Sequence, residues 1–200
     1  MAAPRPGGIF ISYRRSDAGP YARLLKVQLR THLPDTPVFM DLDSIEAGTD
    51  FEEAIKNGVD SSRVLIALIG PKWLSLCDED GRRRLDHPDD YVRLEIRSAL
   101  ERAVRVIPVL VDGAKMPKRH QLPDDLCKLA RLNALEMSYD RYEYDESRLI
   151  AITQKVLAVG TTDSAKGPST SSTATAREPK DKYASLLTFH KRRIAQSPSH

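Results

Sequence analysis

Short, unbroken apolar runs alternate along this chain with longer stretches whose apolar residues recur every three or four positions. That alternation predicts an α/β domain built on a parallel sheet. Ile9–Tyr13 reads as a first strand. Gly19-Pro20 then opens a helix to about His32, with Tyr21, Leu24, Leu25, Leu29 and Leu33 at helical spacing. Val38–Met40 is a short second strand that runs into a long polar loop, Asp41–Gly48. A helix from about Asp50 to Val59 follows, with Phe51, Ala54 and Ile55 on its inner face. Val64–Ile69 is the clearest strand, an apolar run of the kind buried on both faces, and Gly70-Pro71 ends it. The segment from Trp73 to Asp90 is irregular and charged, with Trp73 read as packing. Beyond it, Val92, Ile96, Ala99, Leu100 and Ala103 mark the buried stripe of a helix. Arg105–Val111 is a fourth strand; Pro108 cannot donate to a ladder, which moves this strand toward an edge or a bulge. A fifth strand is expected near Leu132–Met137 and a closing helix from about Glu146 to Val159.

Composition narrows the classes of function. A 40% hydrophobic and 30% charged chain of 200 residues is an ordinary globular composition, long enough for one domain plus an appendage. The net charge of +3 is small, basic residues are interleaved with acids, and no aromatic-basic platform stands out, so nucleic acid is not the expected partner. Arg82-Arg83-Arg84 reads as a solvated loop. No apolar stretch reaches membrane-spanning length and the N-terminus has no signal core, so a cytoplasmic protein without a membrane partner is expected. Cys77 and Cys127 lack metal-ligand spacing, as do the five histidines, so no metal site is expected and the thiols are taken as reduced. After Gly160 the composition turns Ser/Thr/Ala/Pro-rich. This gives a domain over 8–159, a flexible linker over 160–180 and a tail over 181–200 that reads as marginal and mostly disordered, or as a short amphipathic helix on Tyr183, Leu186, Leu187 and Ile194.

The residue with most to say about chemistry is Glu95. It lies at the flank of the stripe set by Val92, Ile96 and Ala99, with Tyr91 one turn earlier. Its helical neighbours three and four positions away are Val92, Ser98, Tyr91 and Ala99, none of them basic. A solvated helix glutamate and a functional acid both fit that window. Several chemistries fail by absence. There is no Gly-x-Gly-x-x-Gly after a strand and no Gly-x-x-x-x-Gly-Lys. A phosphoacceptor receiver would need acids where this chain has Ser12-Tyr13-Arg14-Arg15 and Gly70-Pro71.

Four segments, Ile9–Asp17 (IFISYRRSD), Leu24–Leu29 (LLKVQL), Asp41–Gly48 (DLDSIEAG) and Arg105–Gly113 (RVIPVLVDG), together resemble the TIR (Toll/interleukin-1 receptor) domain. The resemblance spans about Gly8 to Val159 and is strongest to the NAD-hydrolase branch, which includes the TIR domain of the animal axon-degeneration enzyme and its bacterial relatives. It implies a flavodoxin-like α/β fold of about five parallel strands wrapped by helices. It also implies NAD⁺ nucleosidase activity, giving nicotinamide and either ADP-ribose or a cyclic isomer, with NAD⁺ as substrate and no cofactor. In that branch the acid sits on the helix before the fourth strand, in a pattern of aromatic, three residues, Glu, apolar. Tyr91-Val92-Arg93-Leu94-Glu95-Ile96 fits, which makes Glu95 the catalytic residue and Tyr91 a substrate-side aromatic standing where relatives often carry Trp. By the same resemblance Ser12, Arg14 and Arg15 contact the nucleotide, Glu46 and Gly48 belong to the BB loop, and Phe51 lies near the pocket. Read from residue type alone, the arginines and Glu46 are also ordinary loop charges, and Gly48 an ordinary turn glycine.

The resemblance implies self-association or binding to other TIR domains through the BB loop, with assembly completing the site. It points to signalling or bacterial antiphage immunity under a separate activator chain. The competing class is a non-catalytic TIR interaction module, adaptor or decoy, which would have no reason to keep Glu95 with Tyr91. A nucleoside 2-deoxyribosyltransferase relative is opposed by the double arginine after the first strand and by the Glu46-Ala47-Gly48 loop.

Overall fold

A computed structural model describes residues 7–40 and 51–159, with backbone alone for Phe51 and Glu52. Five strands form one parallel sheet: β1 (Gly8–Ser12), β2 (Val38–Met40), β3 (Ser62–Ile69), β4 (Arg105–Val111) and β5 (Leu135–Met137). Their order is β2-β1-β3-β4-β5, the flavodoxin-like arrangement expected from the alternation of apolar runs and helices. Four helices cover the sheet: α1 (Arg15–His32), α2 (Phe51–Asp60), α3 (Tyr91–Glu101) and α4 (Tyr142–Ala158).

Each face has its own core. Alternate strand residues Ile9, Ile11, Val64, Ile66 and Val109 pack with Leu25 and Leu29 of α1 and Leu149 and Ile150 of α4. On the other face Phe10, Leu65, Ala67, Val106 and Leu110 pack with Ile55 and Val59 of α2 and with Val92, Ile96 and Ala99 of α3. Trp73 and Leu85, from the irregular segment after β3, join this second core, as do Leu122, Leu126 and Leu129 from short 3₁₀ turns between β4 and β5. No helix among the described residues is long and apolar enough to cross a membrane.

The structure corrects several element boundaries. α1 begins at Arg15 rather than at Pro20, because the chain kinks at non-helical Ala18 and resumes. A proline so near the start removes few helical bonds. Pro108 lies within an interior strand. At that residue β4 still has only β3 beside it, since pairing with β5 begins at Val109, and proline is tolerated where one side of the ladder is open. The fifth strand is shorter than the apolar segment, and α4 starts four residues before Glu146. Ala103 is not on the stripe of α3; it adopts φ +55 after the helix has ended. The loop 41–50 and the segment 160–200 lie outside the described residues, and with them the expected linker and tail.

Candidate active site

In an open parallel sheet, ligands bind beyond the carboxyl ends of the strands where the strand order reverses, here between β1 and β3. At the end of β1 stand Ser12, fully buried, then Tyr13 and Arg14. Ser12 Oγ has no hydrogen-bond partner among the described residues. Arg14 caps the start of α1 with an extended backbone, which sends its side chain across to α3.

Arg14 is 3% exposed and makes a two-pronged ion pair. Nη1 donates to Asp90 Oδ2 at 2.6 Å, and Nη2 donates to Asp90 Oδ1 at 3.0 Å. Asp90 is also the N-cap of α3, its Oδ1 accepting from the Arg93 backbone N–H at 3.0 Å. One buried carboxylate therefore ends a helix and ties it to the end of the central strand. The paired geometry offsets the desolvation of both charges; loss of either partner would leave the other buried and uncompensated. A second cation approaches the same group: Arg84 Nε is 3.7 Å from Asp90 Oδ2.

The segment bearing Arg84 is clamped to α3. Arg93 Nη1 donates to the carbonyls of Asp86 at 2.9 Å and Leu85 at 3.4 Å, while its Nε donates to Asp125 at 2.9 Å. Arg83 pairs with Asp86 and donates to the Gln121 carbonyl. On the β3 side, Asp17 Oδ1 accepts from the Lys72 backbone N–H at 3.0 Å, drawing the turn after β3 onto α1. Burial raises the Asp17 pKa, and the Lys72 N–H opposes that shift. Gly70 is required by this contact: a β-carbon there would stand 2.5 Å from Asp17 Oδ2.

Glu95 projects from this frame. It is 4% exposed, more sequestered than a position at the flank of the stripe would suggest, because α3 is covered by the sheet, by α2 and by the 3₁₀ turns before β5. Tyr91, one turn earlier on the same face, is 42% exposed. Ser12 and Arg14 thus stand at the end of β1, and Tyr91 and Glu95 on the helix that the Arg14–Asp90 pair ties to that strand end, while Arg15 is exposed on the first turn of α1. Glu46 and Gly48 fall outside the described residues, and Phe51 begins α2 with its side chain outside them.

Sequence reasoning missed Asp90, Asp17, Gly70 and Arg84. Asp90 carried a usable signal, an Asp directly before a helical stripe. Its pairing with Arg14, 76 positions away, had none. Among the described residues no three His, Cys, Asp or Glu side chains gather as a metal site would require. A groove of about 520 Å³ between α2 and α3 is lined by Lys56, Leu94, Arg97, Ser98 and Arg102 among others, and by none of Arg14, Asp90, Tyr91 or Glu95.

A profile described as "TIR domain" matches residues 9–150. The chain belongs to the TIR domain family. Over 134 residues it is 31% identical to "NAD(+) hydrolase sarm1" of Drosophila melanogaster, covering 66% of this chain and 9% of that protein. Over 146 residues it is 32% identical to "NAD(+) hydrolase SARM1" of Danio rerio, covering 73% and 19%. Identity to "NAD(+) hydrolase tir-1" of Caenorhabditis elegans is 29% over 133 residues, covering 66% and 13%. The chain therefore spans less than a fifth of the length of these curated relatives. Among solved structures, the TIR domains of the activated Roq1 resistosome superpose with a TM-score of 0.53 at 16% identity, covering 74% of this chain and 98% of that one. A metazoan TIR-STING receptor from C. gigas does so at 0.50 and 17%, covering 80% and 41%. At such identity these two show the TIR fold alone.

Proposed function

We propose that this TIR domain cleaves the nicotinamide–ribose bond of NAD⁺. The observation that carries the reading is Glu95: a carboxylate 4% exposed, on the helix whose start is bolted to the switch point of the sheet, with an exposed aromatic one turn away. Relatives named NAD(+) hydrolases, at about 30% identity over most of the domain, support the same substrate.

The chemistry suits a single acid. The nicotinamide ring of NAD⁺ is cationic; as the ribose C1–N bond breaks, the electron pair goes to that nitrogen and the ring leaves neutral, so no proton donor is needed. Positive charge develops on the ribose, as in glycoside hydrolysis. Glu95, fixed in a site of low water content, stabilises that charge and holds the ribose hydroxyls. Tyr91 packs on the nicotinamide side and limits water. Water adding at C1 and losing a proton gives ADP-ribose; attack by an atom of the same molecule gives a cyclic isomer. The reaction needs no added cofactor. The BB loop, Asp41–Thr49, packs on a neighbouring protomer and completes the site, so activity rises with assembly. Two free thiols, Cys77 and Cys127, suit a reducing cytoplasm, and the role we assign is signalling or antiphage defence.

The test is incubation of concentrated, purified protein with NAD⁺ beside Glu95→Ala. Nicotinamide release by the wild type alone is expected. No release even under crowding would return the chain to the class of TIR interaction modules, and activity proportional to enzyme concentration down to nanomolar levels would remove the assembly requirement.

A further inference from the structure

We propose that Arg84, on the loop before α3, is the cation that meets the substrate's diphosphate at the rim of the site. The inference rests on the NAD⁺ reading above. The resemblance gives nucleotide contact to the arginines after β1, but Arg14 is buried and has committed both terminal nitrogens to Asp90. Arg84 meets the same carboxylate from the solvent side. Its side chain is 42% exposed, its Nε is 3.7 Å from Asp90 Oδ2, and its terminal nitrogens carry no hydrogen bond among the described residues.

Of the two arginines on Asp90, Arg84 is the one that reaches solvent. Arg14 and Asp90 cancel each other inside the protein, and Arg83 is paired with Asp86 beside them. Arg84 shares Asp90 with Arg14 at a longer distance, through its Nε alone. Nearby, His87 Nδ1 lies 3.8 Å from Oδ2 of the exposed Asp89. A guanidinium presents a planar fork that fits two phosphate oxygens at once.

The mount is rigid enough for recognition. The Arg84 backbone N–H donates to the Leu76 carbonyl at 2.9 Å, and Leu85 beside it is wholly buried. The clamp from Arg93 to the Leu85 and Asp86 carbonyls then sets this turn directly on α3. The cation and Glu95 are thus carried by one unit: Arg84 before the helix cap, Tyr91 and Glu95 after it. A dinucleotide laid with its nicotinamide ribose at Glu95 would extend its diphosphate toward this rim.

The experiment compares wild type, Arg84→Ala and Arg84→Lys in two readouts: steady-state cleavage of NAD⁺ and of nicotinamide riboside, which has no phosphate, and calorimetric binding of ADP-ribose. Alanine should raise KM for NAD⁺ about tenfold with kcat within about twofold, leave nicotinamide riboside unaffected, and weaken ADP-ribose by about the same factor. Lysine should fall between, keeping the charge and losing the fork. Unchanged KM and ADP-ribose affinity in Arg84→Ala, with an active wild type, would overturn this inference and leave the proposed function standing. A fall in kcat alone would also overturn it, by showing that Arg84 positions α3. If the wild type is inactive on NAD⁺, the proposed function fails, and ADP-ribose affinity decides for Arg84 separately: loss in the alanine variant supports it, and no binding by the wild type sinks it. Equal thermal midpoints for the three proteins exclude misfolding.

Discussion

Two helices of this domain carry the same local pattern, a tyrosine followed four positions later by a buried glutamate. On α3 it is Tyr91 and Glu95; on α4, covering the opposite face of the sheet, it is Tyr142 and Glu146. The glutamates are 4% and 6% exposed. Burial alone would rank them equally. Their surroundings differ. Tyr91 is exposed, and its helix begins at an aspartate that pairs with Arg14 at the sheet's switch point. Tyr142 is buried, and α4 starts at Arg141 with no side-chain cap. Burial pushes the Glu146 carboxyl up to about 7, with His32 opposing and Glu143 adding to the shift. The residue after each glutamate also differs, Ile96 against Ser147. A sequestered acid on a helix is a common consequence of packing; Glu95 differs from Glu146 in the anchored start of its helix and in the exposed tyrosine one turn earlier.

The sharpest break of this comparison is kinetic. Glu95→Gln should lower nicotinamide release by about a thousandfold or more, whereas Glu146→Gln should stay within about twofold of wild type, both read by chromatography at matched protein concentration. The reverse pattern would move the site to the other face. Next in size is the frame itself. Asp90→Ala strands the Arg14 guanidinium and should cost about 3–5 kcal/mol in urea denaturation, while Arg14→Met combined with Asp90→Leu should cost clearly less than the sum of the single changes.

The third effect belongs to Glu146 alone. Its folded pKa, near 7, lies above its usual value of 4.5, so the native state holds this proton more tightly than the unfolded chain. Its contribution to stability is fully present below about pH 4.5 and is lost as pH rises through 7. Glu146→Gln should therefore match wild type near pH 4.5 and exceed it by roughly 2–3 kcal/mol at pH 8, measured as urea midpoints across that range. A constant gap at all pH values would mean that Glu146 is solvated. Smallest is Gly70→Ala, which forces Asp17 off the Lys72 N–H and should cost about 1–2 kcal/mol in thermal unfolding. Adding Asp17→Ala should remove most of the additional loss.

What was legible in the sequence follows from locality. Val64–Ile69 announces a strand buried on both faces, and Leu25 and Leu29 face the core as their spacing requires, because these depend on neighbours a few positions away. Glu95 was found through its own helix and a family pattern. Its depth was not, since periodicity describes one buried side and α3 is covered on several. Arg14 shows the limit most plainly. As a charge at the end of a strand it looks available for ligand, and only the fold brings Asp90 to it. Arg84 was lost in a run of three arginines whose members have different fates: Arg82 exposed, Arg83 paired with Asp86, and Arg84 leaning on Asp90.

The Arg14–Asp90 pair also has a consequence for the timing of synthesis. Its halves are 76 residues apart, so at about 5–20 residues per second the ribosome makes Arg14 several seconds before Asp90 exists. Until then the end of β1 has nothing to grip and α3, with Glu95, has not emerged. A truncated or stalled chain ending before this helix therefore lacks both the acid and its anchor. The helix that carries Glu95 is made only after three strands of the sheet.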